Sequence, residues 1–260
     1  MPSYCRVRQK PVPILRRKIV NIAAKTSPPA NIPYCNVLYP IDRDSMYQPK
    51  TLLLVALLAL AGSTEARRPA GEPGQFDYYA VALSWSPSYC ATRNDPDQCA
   101  TGRRLGFVLH GLWPQYERGY PENCSTEKLP RHVKDKYSSL FPSERLAEHE
   151  WKKHGSCSGL DPAGYFILSG KLKNQVAIPR AFQQPAIPVR VSYGEFVQAF
   201  KAANPKLQQY SVLPFCAAGG RFLREVHVCY DKRGESRSCS EGQVKRSYNS
   251  CRQESFVLQN

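Results

Sequence analysis

Glu148-His149-Glu150-Trp151-Lys152-Lys153-His154-Gly155 is the stretch on which the reading of this chain turns. On a helix, at about 100° per residue, Lys153 falls roughly 40°, Glu150 roughly 100° and His154 roughly 140° from His149. Two imidazoles, an ammonium and a carboxylate then share one face, which is costly as packing and useful as chemistry. For an isolated helix, the plainer interpretation is a solvated charged face with a fortuitous pair of histidines. A second segment tips the balance. Phe107-Val108-Leu109-His110-Gly111-Leu112-Trp113-Pro114 carries another of the five histidines, His110, at the end of an apolar run from Arg103 that Gly111 and Pro114 are expected to stop. Strand ends are good platforms for reactive side chains.

Working outward, Phe76 to Trp85 is apolar and aromatic, closes on Ser86-Pro87-Ser88, and reads as a buried strand. The chain turns helical after Pro142. Asp161-Pro162 starts a helix to about Val176, and Ser192-Tyr193-Gly194-Glu195 is a capping-box pattern opening a third. Phe222 to Tyr230 returns to strand. Without a fixed-period repeat or a low-complexity linker after residue 66, the expected architecture is a single α+β domain, an antiparallel sheet packed with helices.

The whole chain has 260 residues, 42% of them hydrophobic and 22% charged, which argues against disorder. Its formal charge of +15 favours an anionic partner, either nucleic acid or an acidic membrane surface. Ten cysteines fit an oxidising compartment and disfavour a cytosolic metabolic enzyme. Met46 to Lys50, the apolar run Thr51 to Gly62 and Ser63-Thr64-Glu65-Ala66 together read as a secretory signal peptide. The apolar run is short for a permanent membrane helix, so no stable membrane association is expected, and the protein is expected outside the cytosol, extracellular or periplasmic. Residues 1–45 then read as a dispensable or mis-annotated extension, 46–66 as the signal, and 67–260 as the catalytic domain. Removing Cys5 and Cys35 with the leader leaves an even set: Cys90, Cys99, Cys124, Cys157, Cys216, Cys229, Cys239 and Cys251.

Spacing removes several chemistries. An HExxH zinc protease needs histidine where Lys153 stands, no CxxC pair offers a structural zinc site, and no GxSxG marks a serine nucleophile. What remains is acid–base chemistry between imidazoles, whose pKa near ~6.5 lets one be neutral while the other is protonated. Two histidines, a lysine and a basic surface suit transesterification of RNA, in which one imidazole takes the 2′-hydroxyl proton and the other protonates the 5′-oxygen.

The segments Phe107 to Pro114 and His149 to Gly155 resemble, in order and spacing, the two active-site segments of the ribonuclease T2 family. Leu83-Ser84-Trp85-Ser86-Pro87 with Cys90, Tyr120-Pro121-Glu122-Asn123-Cys124 and the four late cysteines extend the likeness over roughly residues 76–258. The resemblance implies a T2 fold and an endoribonuclease of RNA catabolism that cleaves single-stranded RNA with low base specificity. It implies a 2′,3′-cyclic phosphate intermediate and 3′-phosphate ends, with no cofactor and no metal. By position it makes His154 the general base, His110 the general acid, Glu150 and Lys153 the pair that steadies the phosphorane, and His149 a phosphate contact. Trp113 and Tyr120 correspond to aromatics that sandwich a base, with Gln115 at a base-contacting position where some members carry an acid. The implied disulfides are Cys90–Cys99, Cys124–Cys157, Cys216–Cys251 and Cys229–Cys239, and a monomer is expected. Trp85 and Trp151 are expected in the core, and His132 and His227 at surface or strand positions without chemistry. Asn123-Cys124-Ser125 is a glycosylation sequon.

Two other classes stay in view. A basic protein that binds RNA or a glycan without cutting it would be marked by loss of His110 or His154, and both are present. A cationic membrane-active toxin would show a helix with one basic and one aliphatic face, which is not evident here.

Overall fold

The strand β1 (Tyr78–Trp85) alternates large and small side chains, and that alternation organises the fold. Tyr79, Val81, Leu83 and Trp85 point into the main core, whereas Tyr78 and Ala80 belong to a smaller cluster on the opposite side. The computed structural model describes residues 71–260; the expected leader, residues 1–66, and Cys5 and Cys35 lie outside this range.

Six strands form one sheet. β2 (Phe107–Gln115) lies at its edge beside β1; β1 pairs with β5 (Phe222–Tyr230), and β5 in turn with β4 (Val212–Ala217). The short strands β3 (Val189–Val191) and β6 (Phe256–Leu258) complete it. The pairs are antiparallel except for β5 with β6, which meet in parallel at Phe222 and Val257. That one parallel contact makes the otherwise antiparallel sheet a mixed one, because the chain returns through a helix before adding its last strand.

Seven α-helices accompany the sheet among the described residues: α1 (Ser86–Cys90), α2 (Pro96–Cys99), α3 (Arg131–Tyr137), α4 (Glu144–Lys153), α5 (Pro162–Asn174), α6 (Tyr193–Ala203) and α7 (Glu241–Ser250). Side-chain caps start the longer ones: Ser143 accepts from Leu146 N–H, Asp161 from Gly164, and Ser192 forms a full capping box with Glu195. On one face of the sheet, Ala147 and Trp151 of α4, Tyr165, Phe166 and Leu172 of α5, and Phe196 and Phe200 of α6 close the core over β1 and β5. Val244 of α7 covers the smaller cluster on the other side. Trp85 and Trp151 are core residues, 1% and 2% exposed. No helix among the described residues is long and apolar enough to cross a membrane.

Four disulfides fasten this frame: Cys90–Cys99 joins α1 to α2, Cys124–Cys157 joins the loop after β2 to the turn after α4, Cys216–Cys251 joins β4 to α7, and Cys229–Cys239 closes the chain after β5.

β2 departs from the expected strand in two ways. It begins at Phe107 rather than Arg103, and it runs through Gly111 and Pro114 to Gln115, so His110 sits mid-strand and not at a strand terminus. Proline is tolerated there because β2 is an edge strand. Leu83 pairs with Leu109 and Ala82 with Gly111, which leaves His110 as the extra residue of a β-bulge. A bulge bends the strand and re-aims its side chain.

Candidate active site

His110 and Trp113 come from β2, His149, Glu150 and Lys153 from α4, and His154 from the residue that ends α4. Gly111 lets the two segments meet: a Cβ there would collide with the Glu150 carboxylate and the Trp113 indole nitrogen. Glu150, 1% exposed, accepts a hydrogen bond from Trp113 Nε1 at 2.7 Å, and its other oxygen lies 3.8 Å from His110 Nε2. Burial pushes the Glu150 carboxyl up to about 7, against the lowering pull of His110, of the Trp113 hydrogen bond and of Lys153.

Trp113 is the hub. Its ring stacks on His154 at 5.1 Å and meets His110 and His227 edge-on, each at 5.0 Å. His154 is buried, with its Nδ1 lacking a hydrogen-bond partner. Burial, then the positive charge of Lys153, His110 and His149, lowers its pKa to about 2. The sequence left the sign of that shift open, and the neutral form wins because Glu150 turns toward His110 and Trp113. The helical-wheel placement of His154 is corrected too: α4 stops at Lys153, and His154 has φ −118°, so it leaves the cylinder while its N–H still reaches the Glu150 carbonyl.

Lys153 stands 3.8 Å from Glu122 and 5.9 Å from the ring of Tyr120, whose ring is 6.0 Å from His154. Tyr120 is exposed, free to meet a planar ligand. His149 shares with His110 a cavity of about 270 Å³ that Tyr89, Gln98, Arg145 and Leu146 also line, and burial followed by Lys153 lowers its pKa. Gln115, expected at a base-contacting position, is buried, with its side-chain oxygen accepting from Gln243 at 2.5 Å. As the last residue of β2 it faces the α7 side, and its own amide nitrogen donates to the Pro114 carbonyl at 3.0 Å.

His132 is exposed on α3. His227 stands on a strand, as expected. It is buried on β5, packs on Trp113 and Phe215, and its Nε2 lies 3.1 Å from Glu225. Glu225 is the residue that the sequence reading missed. It lies 3.1 Å from His110 Nδ1 and accepts from Arg224 at 2.8 Å. The available signal was periodicity: Glu225 and His227, two apart in an apolar strand, must share one face. Burial alone would raise the Glu225 carboxyl, yet its hydrogen bonds to His110 and His227 hold it well below the usual carboxylate range. For His110, burial opposes charge, but the Glu225 hydrogen bond and the charges of Glu150 and Glu225 raise its pKa overall.

The site therefore holds two imidazoles of opposite protonation preference around a half-buried indole and a buried carboxylate. The model of the ribonuclease T2 family matches residues 76–239. A ribonuclease of Aeromonas hydrophila is 41% identical over 218 residues, covering 80% of this chain and 97% of the relative. Ribonuclease I of Escherichia coli is 26% identical over 223 residues, 68% of this chain and 83% of that one. Among solved structures, an RNase-related protein from Calystegia sepium superposes with a TM-score of 0.57 at 19% identity, covering 71% of this chain and 97% of its own. A variant of RNase MC1 crystallised with 5′-UMP gives 0.50 at 24% identity, covering 62% and 91%. At these identities the structures speak for the fold, and the family match and the Aeromonas relative speak for descent. The chain belongs to the ribonuclease T2 family and is a ribonuclease of that family.

Proposed function

We propose that the protein is an exported endoribonuclease that cleaves single-stranded RNA by two-histidine transesterification without a metal ion. The observation that carries this reading is the split between the two histidines around Trp113: the pKa of His110 is raised and that of His154 is lowered to about 2. Titratable groups whose surroundings push their pKa values apart mark the acid and the base.

His154 takes the proton of the ribose 2′-hydroxyl, whose oxygen attacks phosphorus. The bond from phosphorus to the 5′-oxygen breaks, and His110 delivers a proton from Nε2 to that oxygen. The product is a 2′,3′-cyclic phosphate, which water opens to a 3′-phosphate with the two roles reversed. Lys153 and His149 meet the phosphate charge, and Glu150, held by Trp113, steadies the phosphorane. Tyr120, with the open edge of Trp113, stacks the base on the 5′ side, an interaction worth about 1–3 kcal/mol and tolerant of base identity. The buried Gln115 makes no base contact in this arrangement, which agrees with low specificity. Four disulfides and the apolar run Thr51 to Gly62 support export, and the basic composition supports an RNA partner.

The test is a DNA strand carrying one ribonucleotide, incubated with EDTA. Cleavage on the 3′ side of that residue alone, leaving a cyclic phosphate before a 3′-phosphate, is expected. Cutting of the all-deoxy control, a 3′-hydroxyl product or a requirement for magnesium would overturn the mechanism.

A further inference from the structure

We propose that Glu225 is a positioning residue for His110: its carboxylate holds the imidazole by Nδ1, turns Nε2 toward the scissile bond and supplies the charge against which the imidazolium forms. This rests on His110 being the general acid.

Glu225 lies on β5, a strand paired on both sides, and is 5% exposed. Its carboxylate is fully engaged: Oε2 lies 3.1 Å from His110 Nδ1, and Oε1 takes His227 Nε2 at 3.1 Å and the Arg224 guanidinium at 2.8 Å. His110 must reach across β1 to make this contact. Two features allow it. The bulge in β2 re-aims the His110 ring, and the β1 residues paired with Glu225 and His227 are Ser84 and Ala82, small enough to leave the way open. A carboxylate in a sheet interior is costly unless paired, and here its partners converge from two strands. An ionised carboxylate only accepts, so Nδ1 must carry a hydrogen and the proton exchanged with substrate is the one on Nε2.

Other charges face His110 from every side. Arg224 and His227 come from β5, Glu150 and His149 from α4, His154 from its end, and Tyr89, Asp95 and Arg145 from across the cavity. Only Glu225 and Glu150 favour the imidazolium among the groups that set its proton affinity, and only Glu225 bonds the ring.

Glu225→Gln keeps the shape and removes the charge. The substrates are uridylyl-3′,5′-adenosine, whose leaving oxygen needs a proton, and uridine 3′-(4-nitrophenyl phosphate), whose leaving group does not. On the dinucleotide, kcat should fall about 10–10²-fold, the deficit of a histidine that loses its supporting carboxylate. The alkaline limb of the pH profile should move to lower pH, since the acid form is lost sooner. The deficit should shrink on the aryl ester, and Glu225→Asp, which keeps the charge, should hold the limb near its original position. An unmoved limb, or equal losses on both substrates, would reduce Glu225 to a structural residue. Nitrogen NMR of His110 in the unaltered protein provides an answer even if the variants do not fold: neutral His110 should carry its hydrogen on Nδ1, and finding it on Nε2 overturns the proposal. If His110→Ala cleaves the dinucleotide normally, the acid–base reading itself fails. If that variant is dead while the Glu225→Gln profile is unmoved, only the positioning role fails.

Discussion

The bulge in β2 and the end of α4 each deliver one histidine to the same indole ring, yet they treat it in opposite ways. His110, on a bulged edge strand, is one-third exposed and has a carboxylate near each ring nitrogen. His154, just past a helix, is buried against Trp113 and Tyr120 with its Nδ1 unpartnered, in the field of Lys153 and His149. The difference does not come from the imidazoles, which are chemically the same. It comes from which backbone each one sits on: the sheet offers neighbouring strands from which carboxylates can reach a ring, while the last turn of α4 places cations there, as the helix dipole favours. One side is built to hold a proton and the other to be without one.

The largest effects should come from breaking this comparison at either end. His110→Ala and His154→Ala should each lower kcat/KM on RNA by about 10²–10⁴-fold, and the double variant should cost little more than either alone, because the two act in one step. A full product of the two losses in the double variant would separate their roles. The next effect is on stability. Cys124–Cys157 ties the loop that follows β2 to the turn after α4 across a separation of 33 residues, so Cys124→Ser with Cys157→Ser should lose about 3–4 kcal/mol in chemical denaturation. Activity of the surviving folded fraction should drop as well, since Tyr120 and Lys153 are no longer held in register; unchanged kcat would show that packing alone aligns the two segments.

The smallest effect sharpens the electrostatic side. Glu150 is a carboxyl whose folded pKa is raised to about 7 from an ordinary 4.5, so the native state holds its proton longer than the unfolded chain does. That contribution is fully present below about 4.5 and is lost as pH rises toward 7. Glu150→Gln removes the ionisation and leaves an acceptor for Trp113, so the variant should melt alongside the original at pH 4 and a few degrees above it at pH 8. His154 has the opposite sign: its depressed pKa costs the protein stability as pH falls below 6.5, and Glu150→Gln should leave that acid-side loss in place. A variant that gains nothing at pH 8 would mean the Glu150 charge is already compensated.

Much of the fold was legible because it rests on local rules. The capping box at Ser192, the Asp161-Pro162 start and the apolar runs of β1 and β5 are written in neighbouring residues. The shorter strands β3, β4 and β6 and the helices α1, α2, α3 and α7 were not read, since they are too brief or too mixed to show a period and are stabilised by the sheet edge or by disulfides. β2 was cut short in the reading because Gly111 and Pro114 act as breakers in isolation, and only the edge position makes them harmless.

The same division holds at the site. The residue types and their spacing brought His110, His149, Glu150, Lys153 and His154 forward, because acid–base chemistry on a phosphodiester needs those functional groups and they lie in two short segments; Trp113 entered through the resemblance to the ribonuclease T2 family. The orientation of each group was decided in three dimensions. Glu225 lies 115 residues from His110, and Gln243 lies 128 from Gln115, so no local pattern could pair them. Whether a buried imidazole is neutral or charged depends on the dielectric around it and on charges a few ångströms away, and both are properties of the folded contacts alone. The sequence supplied the chemical groups; the sheet register, the bulge at His110 and the end of α4 decided which of them hold a proton.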